Sequence, residues 1–373
     1  MTVLVIAAYL VGWVWLKVTT LPALIGMLLT GIAFQNLQLV HMTDTYRKLN
    51  QDLRKVALVI ILTRAGLGLD AGVLKKHYAA VLQLGLLPWL VECISIAITT
   101  HYLLHLPWMW GFLLGSMIAS VSPAVVVPCL FRLREVGYGV SKGIPTMVLA
   151  AAAIDDSISV AVFAIILNAM FSSGSPTYNI VKGPLSIIAG VVLGSAWGAL
   201  ASVIPEKGDI YVVPLRFLSL FLGGLFSLFV SNLLGWSGAG PLAIVSSGFV
   251  AAYFWDKQGW AVNKNPVSNI FRILWIFFEP ILFAFTGAQI TAALGPAALD
   301  LVNNGGSAGS PEQDEMYYAK ALLAVSVLSV IFSAPIGAIC IALTGPRLLS
   351  RDDGPKTVTI ENPQDDHVTM QHL

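Results

Sequence analysis

Apolar residues run through this chain in long blocks separated by short polar connections. The blocks approach the length of about 20 residues that a helix needs to cross the hydrocarbon core of a bilayer. Eleven of them centre on residues 3–18, 21–37, 55–69, 79–100, 108–130, 144–170, 181–203, 213–234, 239–255, 268–290 and 317–344. The pattern predicts an all-α polytopic membrane protein. Residues 302–316 (VNNGGSAGSPEQDEM) read as a flexible polar loop, and everything after Pro346 as a solvated, disordered tail. A membrane domain of residues 1–345 followed by a tail of 346–373 is the expected organisation.

Composition agrees with the pattern and removes several function classes. Hydrophobic residues make up 57% of the 373, charged residues 11%, and mean hydropathy is +0.80, so the bilayer is the solvent. The net charge is +1 with no basic block, which leaves nothing for nucleic-acid binding. Cys93, Cys129 and Cys340 lack metal-like spacing and are odd in number, so they read as packing residues. The histidines fall near span ends (His41, His77, His101, His105) or in the tail (His367, His372) and form no catalytic or metal constellation. No Gly-rich phosphate loop or calcium loop is present, which argues against a nucleotide-driven pump. The chain reads as no enzyme and needs no cofactor. Met1 opens on an apolar run without a charged n-region or a cleavage site, so the first block is expected to be a retained span.

Loop charge orients the bundle. Connections 70–78, 131–142, 204–216, 256–267 and the tail carry Lys75, Lys76, Arg132, Arg134, Lys142, Lys207, Arg216, Lys257, Lys264, Arg347, Arg351 and Lys356, and all fall on one side when spans alternate. That side is expected to be cytoplasmic, with the N-terminus outside. One connection disagrees: TYRKLNQDLRK carries four basic residues on the outer side.

Against this apolar background, Asp155 and Asp156 stand out in LAAAAIDDSISVAVF, residues 149–163. An isolated ionised Asp at mid-bilayer costs about 2.5–3.5 kcal/mol on insertion scales. A helix-end cap fits poorly, because about ten apolar or small residues flank the pair on each side. Neighbours on a helix point about 100° apart, so one carboxylate can face a cavity while the other faces a partner helix. Such a pair can hold either a proton or a hard monovalent cation, and the exclusion of one by the other couples their movements. The run Ala150–Ala153 lets another backbone approach closely.

A second anomaly lies upstream in GSMIASVSPAVVVPCLF, residues 115–131. Pro123 and Pro128 each remove an amide and clash with the preceding turn, so this span is expected to break near the bilayer centre. The Val121 carbonyl and the Ser122 hydroxyl then become available as oxygen ligands. Broken helices that aim freed carbonyls at a midplane ion recur in secondary transporters.

LTRAGLGLD, SVSPAVVVP, GYGVSKGIPT, the aspartate pair and APIGAICIALTGPRLL together resemble the monovalent cation/proton antiporter superfamily, specifically the animal NHA-type (9B group) sodium/hydrogen exchangers, over residues 20–350. The resemblance implies an inverted-repeat bundle with discontinuous helices, a core domain (55–170 and 268–345) and a dimerisation domain. It implies a homodimer in membrane lipid that exchanges Na⁺ or Li⁺ for H⁺ by an elevator-like movement and so regulates pH and sodium. On the family pattern Asp155 and Asp156 match the ion-binding acids, and the carbonyls of Val121 and Ala152 match the ligands beside them. Sodium is the cargo of that site. The plasma membrane is the expected location, with endosomal or mitochondrial membranes as alternatives.

An internal repeat exposes a gap. VIILTRAGLGLD (59–70) resembles PILFAFTGAQI (280–290), yet Gly66 precedes Pro123 by 57 residues whereas Gly287 precedes Pro296 by 9, so about 48 residues are absent from the second repeat after Ile290. TAALGPAALD (291–300) would be the remaining half of the second broken helix. The family places a basic residue in the absent span, opposite a position occupied here by Glu92, which is therefore expected to be buried and orphaned. A transport-inactive, truncated chain that partners full-length exchangers is the competing expectation. Arg64 is expected to pair with Asp70 or a carbonyl, Glu279 before Pro280 to mark a helix perturbation, and the stripe Gly190, Gly194, Gly198 to make a close contact within the bundle in preference to a dimer seam.

Overall fold

A computed structural model describes residues 2–19, 21–40, 44–120, 122–171, 176–206, 208–236, 238–260, 265–304 and 311–351. The described residues form helices α1 (Thr2–Thr19), α2 (Ala23–Asn36), α3 (Asp44–Leu67), α4 (Ala71–Leu104), α5 (Trp108–Ile118), α6 (Pro123–Glu135), α7 (Ile144–Phe171), α8 (Pro176–Val203), α9 (Val212–Leu233), α10 (Ala239–Lys257), α11 (Pro266–Asn304) and α12 (Pro311–Leu348). Among the described residues, eight helical stretches are long and apolar enough to cross a bilayer, with α5 and α6 together making one of them. The protein is an all-α, multi-pass membrane protein. All eleven expected blocks fall on helices.

The helices sort by what they pack against. α1, α2, α3, α8, α9, α10 and α11 interlock through the pairs α8/α10, α2/α11, α1/α2, α3/α10 and α9/α10. α4, α5, α6, α7 and α12 form a second set through α4/α5, α4/α7, α5/α7, α6/α7 and α6/α12, and α7/α8 and α11/α12 join the two. Glycine makes the closest crossing possible. A Cβ at Gly190, Gly194 or Gly198 of α8 would meet the α10 backbone at Ala239, Ala243 or Ser247. The stripe is an intramolecular seam, as its spacing predicts.

Several expectations need correction. TYRKLNQDLRK is not a loop: α3 begins at Asp44, and while Lys48, Gln51 and Asp52 are exposed, Asn50 and Arg54 reach partners on α11. Arg54 donates to Thr286 Oγ1 at 3.0 Å, Asn50 to Gln289, and Lys55 lies 5.3 Å from the Phe229 ring. One of the four bases, Arg54, is thus engaged within the protein, which weakens this segment as a topology signal. The connection 70–78 is likewise helical, interrupted at His77, with Asp70 capping α4 through the amides of Gly72 and Val73 at 2.8 and 3.2 Å.

The second half of the chain departs further. Helix α11 continues through Glu279–Pro280 and past Ile290 as one element of 39 residues, about 58 Å at 1.5 Å per residue. The hydrocarbon core is only about 30 Å thick. Glu279 and Pro280 lie within this continuous helix, and no break before Thr291 appears; residues 302–304 and 311–316 are helical where a loop was expected, and 305–310 lie outside the described residues. Helix α12 likewise runs past Pro346 to Leu348. Beyond it, Ser350 accepts a bond from the Gly139 amide at 2.9 Å and Arg351 bridges Tyr138. The expected disorder of 352–373 falls outside the described residues.

Arg64 is also placed differently. Its guanidinium lies 4.4 Å from the Phe131 ring centroid, while Asp70 is occupied as a cap and the Gly68 carbonyl accepts from Arg134 at 2.7 Å. Cys93 and Cys129 are buried as packing residues, whereas Cys340 is exposed.

Candidate ion-binding site

The break in the fifth block is real. Helix α5 ends at Ile118 with the Ala119 amide bonded to the Gly115 carbonyl at 2.9 Å, and α6 starts at Pro123. Proline at the first helical position sacrifices no bond, because that amide would have no partner there. It also pushes the preceding residue out of the helical region. Ser122 accordingly sits at φ −69°, ψ 110°, and its carbonyl accepts from Val125 and Val126, both at 3.1 Å. The Ser122 side chain is exposed and makes no capping bond. Val121 lies outside the described residues, so its carbonyl is not placed.

Two half-helix ends meet at this break. The last turn of α5 presents carbonyls without intrahelical partners and the partial negative charge of a C-terminus; α6 presents the opposite end. Oxygen dipoles and negative charge suit a hard cation.

Helix α7 brings the acids to the break. The Ser120 hydroxyl donates to Asp156 Oδ1 at 3.1 Å, linking residues 36 apart in sequence. Asp156 is half-buried, and Asp155 is 4% exposed. Ala152 is buried three and four residues before the pair, so its position shares their helical face. The alanine run performs the close approach expected of it: a Cβ at Gly85 of α4 would come within 3.0 Å of the Ala151 carbonyl. Helix α7 is continuous across 144–171, so the Asp pair sits on regular helix and the irregular backbone belongs to the α5/α6 break alone.

Ser120 is the contact that reading the chain alone missed. Its signal was present in ASVSP, a hydroxyl two residues before the residue that precedes the breaking proline, but nothing in spacing ties it to a carboxylate 36 residues on.

Glu92 does not join the site, and it is not buried. Helix α4 turns Val81, Gly85, Trp89, Cys93 and Ala97 inward at intervals of four. A Cβ at Gly115 of α5 would meet the Cys93 backbone and sulfur. Glu92, 100° away from Cys93, falls on the exposed face beside Leu90, Val91 and Ile94. Among the described residues, no group of three or more His, Cys, Asp and Glu side chains gathers as a metal site. The arrangement is two carboxylates plus a hydroxyl beside a helix break.

A multi-pass helical bundle with an interrupted helix beside paired acids has the form of a secondary transporter. The fold matches that of the sodium proton antiporter MjNhaP1 from Methanocaldococcus jannaschii, with a TM-score of 0.62 at 18% identity over 92% of this chain and 97% of that one in its pH 8 structure. An electron-microscopy structure of the same antiporter gives 0.67 at 17% identity over 94% and 98%.

The chain belongs to the family described as "Sodium/hydrogen exchanger, transmembrane", whose pattern matches residues 4–304. Among its relatives, the human sodium/hydrogen exchanger 9B2 is 34% identical over 388 aligned residues, which cover 89% of this chain and 70% of that protein. The human 9B1 protein is 28% identical over 403, covering 92% and 76%. The match to an animal NHA-type exchanger is therefore shown.

Proposed function

We propose that this chain is a secondary active antiporter that exchanges Na⁺ or Li⁺ for H⁺ at Asp155 and Asp156. The observation that carries the reading is the Ser120–Asp156 hydrogen bond, which fixes the acid pair beside the helix break. In this reading the deprotonated pair binds the cation with help from the carbonyls of Val121 and Ala152 and the hydroxyls of Ser120 and Ser122. Protonation of the pair releases the cation. Cation and proton then occupy one site alternately, which is sufficient for coupling. The helix set containing α4–α7 would carry the site against the other set, with a homodimer in the lipid bilayer providing the fixed frame. Exchange of this kind would regulate pH and sodium across the plasma membrane or an endosomal or mitochondrial membrane.

A second reading has its own support. The alignment to human 9B2 spans 388 positions, more than the 373 residues of the whole chain, although it covers 89% of it. That share is about 332 residues, so about 56 aligned positions face gaps in this chain. Together with the 39-residue α11 and the exposed Glu92, this supports an internal deletion in the second repeat. A chain so shortened would bind the cation without completing the cycle and would act as a partner of longer exchangers.

Sodium-dependent proton flux in proteoliposomes separates the two. The antiporter reading expects flux in the unaltered chain that Asp156→Asn abolishes. Absence of flux from the unaltered chain, with sodium binding intact, leaves the inactive partner.

A further inference from the structure

Arg216 of α9 is a buried cation that the exchange reaction does not use. It is 1% exposed. Its guanidinium lies 5.1 Å from the Trp255 ring and 4.6 Å from the Trp260 ring, and Nη2 donates to Gln258 Oε1 at 2.6 Å. Nε and Nη1 are buried without a hydrogen-bond partner. Among the described residues no carboxylate forms an ion pair with it. A guanidinium offers five N–H donors, and a charge taken out of water without a counter-charge is unfavourable. The ring faces offset part of that penalty, yet they accept nothing from the remaining N–H groups.

A cleft of about 450 Å³, lined by Ala199, Ser202, Val203, Glu206, Phe254 and Gln258, shares Gln258 with this arginine, which is not itself in the lining. Gln258 is the shared wall. Its Oε1 accepts the hydrogen bond from Arg216 Nη2, and its Nε2 donates to the Ser202 carbonyl at 3.2 Å. One rotatable amide therefore belongs both to the cleft wall and to the hydrogen bond of a guanidinium that has two further unpartnered nitrogens.

We infer that the cleft between α8 and α10 is a binding site for an oxyanion, a phosphate or carboxylate carried by a lipid headgroup or free in solution, whose charge Arg216 neutralises once Gln258 turns aside. Ala199, Val203 and Phe254 make half of the lining apolar, which suits the acyl end of an amphiphile. Glu206, exposed on the same cleft, disfavours a dianion and favours a monoanion or a zwitterion whose donor group meets the carboxylate. The site is separate from the aspartate pair and does not depend on the exchange reading.

Thermal unfolding of the full chain in detergent micelles tests this with three probes: inorganic phosphate, dihexanoyl phosphatidylserine and dihexanoyl glycerol. Stabilisation that saturates with phosphatidylserine and is absent with the uncharged glyceride is expected. Its half-saturating concentration should rise at least about tenfold, the equivalent of one charge-assisted contact, in Arg216→Gln and in Val203→Trp, which fills the cleft from an exposed position and leaves the arginine in place. Saturable stabilisation by phosphate as well assigns the site to the oxyanion alone; stabilisation by the lipid only assigns it to a headgroup. If Arg216→Gln does not fold, Val203→Trp decides. Equal stabilisation by the uncharged glyceride, no stabilisation by either anion, or a response unchanged in Val203→Trp overturns the inference and leaves Arg216 as a packed side chain solvated by water.

Discussion

The hydroxyl of Ser120 and the carboxylate of Asp156 are joined by a 3.1 Å hydrogen bond across the gap between α5 and α7. This one contact ties the interrupted helix to the acid pair. Hydrogen bonds to a charged acceptor contribute about 1.5–3 kcal/mol, so Ser120→Ala should weaken sodium binding roughly tenfold or more. Sodium-dependent thermal stabilisation of the purified chain, titrated against choline, reads the change directly. An unaltered titration would remove Ser120 from the site.

The α8/α10 seam depends on absent side chains. A Cβ at Gly194 would meet Ala243 backbone atoms, which cannot move aside as a flexible side chain would. Gly194→Val should therefore lower stability by about 1–3 kcal/mol, the usual range for overpacking. Gly208→Ala is the control, since nothing lies within 4 Å of a Cβ there. Unfolding midpoints of the two variants should differ clearly, with only the first one lowered.

Asp70 holds the start of α4 through the amides of Gly72 and Val73. Loss of such a cap costs about 1 kcal/mol, which corresponds to about fivefold faster local opening. Hydrogen exchange at Gly72 and Val73 should accelerate by that factor in Asp70→Ala and much less in Asp70→Asn. Equal rates in all three proteins would show that the cap bond contributes nothing to the helix start.

Arg272 and Glu135 form an ion pair at 3.8 Å with side chains 52% and 59% exposed. Exposed pairs typically contribute under about 1 kcal/mol. A double-mutant cycle with Arg272→Gln and Glu135→Gln should return a coupling below that value, shrinking further in high salt. Coupling of several kcal/mol would mean that the pair is shielded in the membrane.

Much of this molecule is legible in its sequence because the bilayer enforces simple rules. Apolar blocks must be helices there, since no water satisfies exposed backbone, and all eleven blocks are helical. Pro123 announced the α5/α6 break, whereas Pro128, read in the same way, sits inside continuous α6; the four-residue spacing of Gly190, Gly194 and Gly198 announced a seam. The misses have different causes. Polarity was read as exposure to water, but Asn50 and Arg54 find partners on α11, so α3 starts eleven residues before the apolar block does. Glu92 shows the reverse error: a carboxyl in the middle of an apolar block was read as buried, whereas the buried stripe of α4 passes through Cys93 and leaves Glu92 outside. Ser120–Asp156 could not be read at all, because a tertiary contact between two helices leaves no local spacing.

The account rests on a carboxylate pair that holds a cation or protons but not both. The direct measurement is the number of protons released when NaCl is added to the purified chain in weakly buffered detergent, compared with choline chloride. Competition at the pair predicts release of about one proton per sodium bound, and none from the Asp155→Asn, Asp156→Asn double variant. Sodium binding with no proton release, or the same release from the double variant, would contradict it.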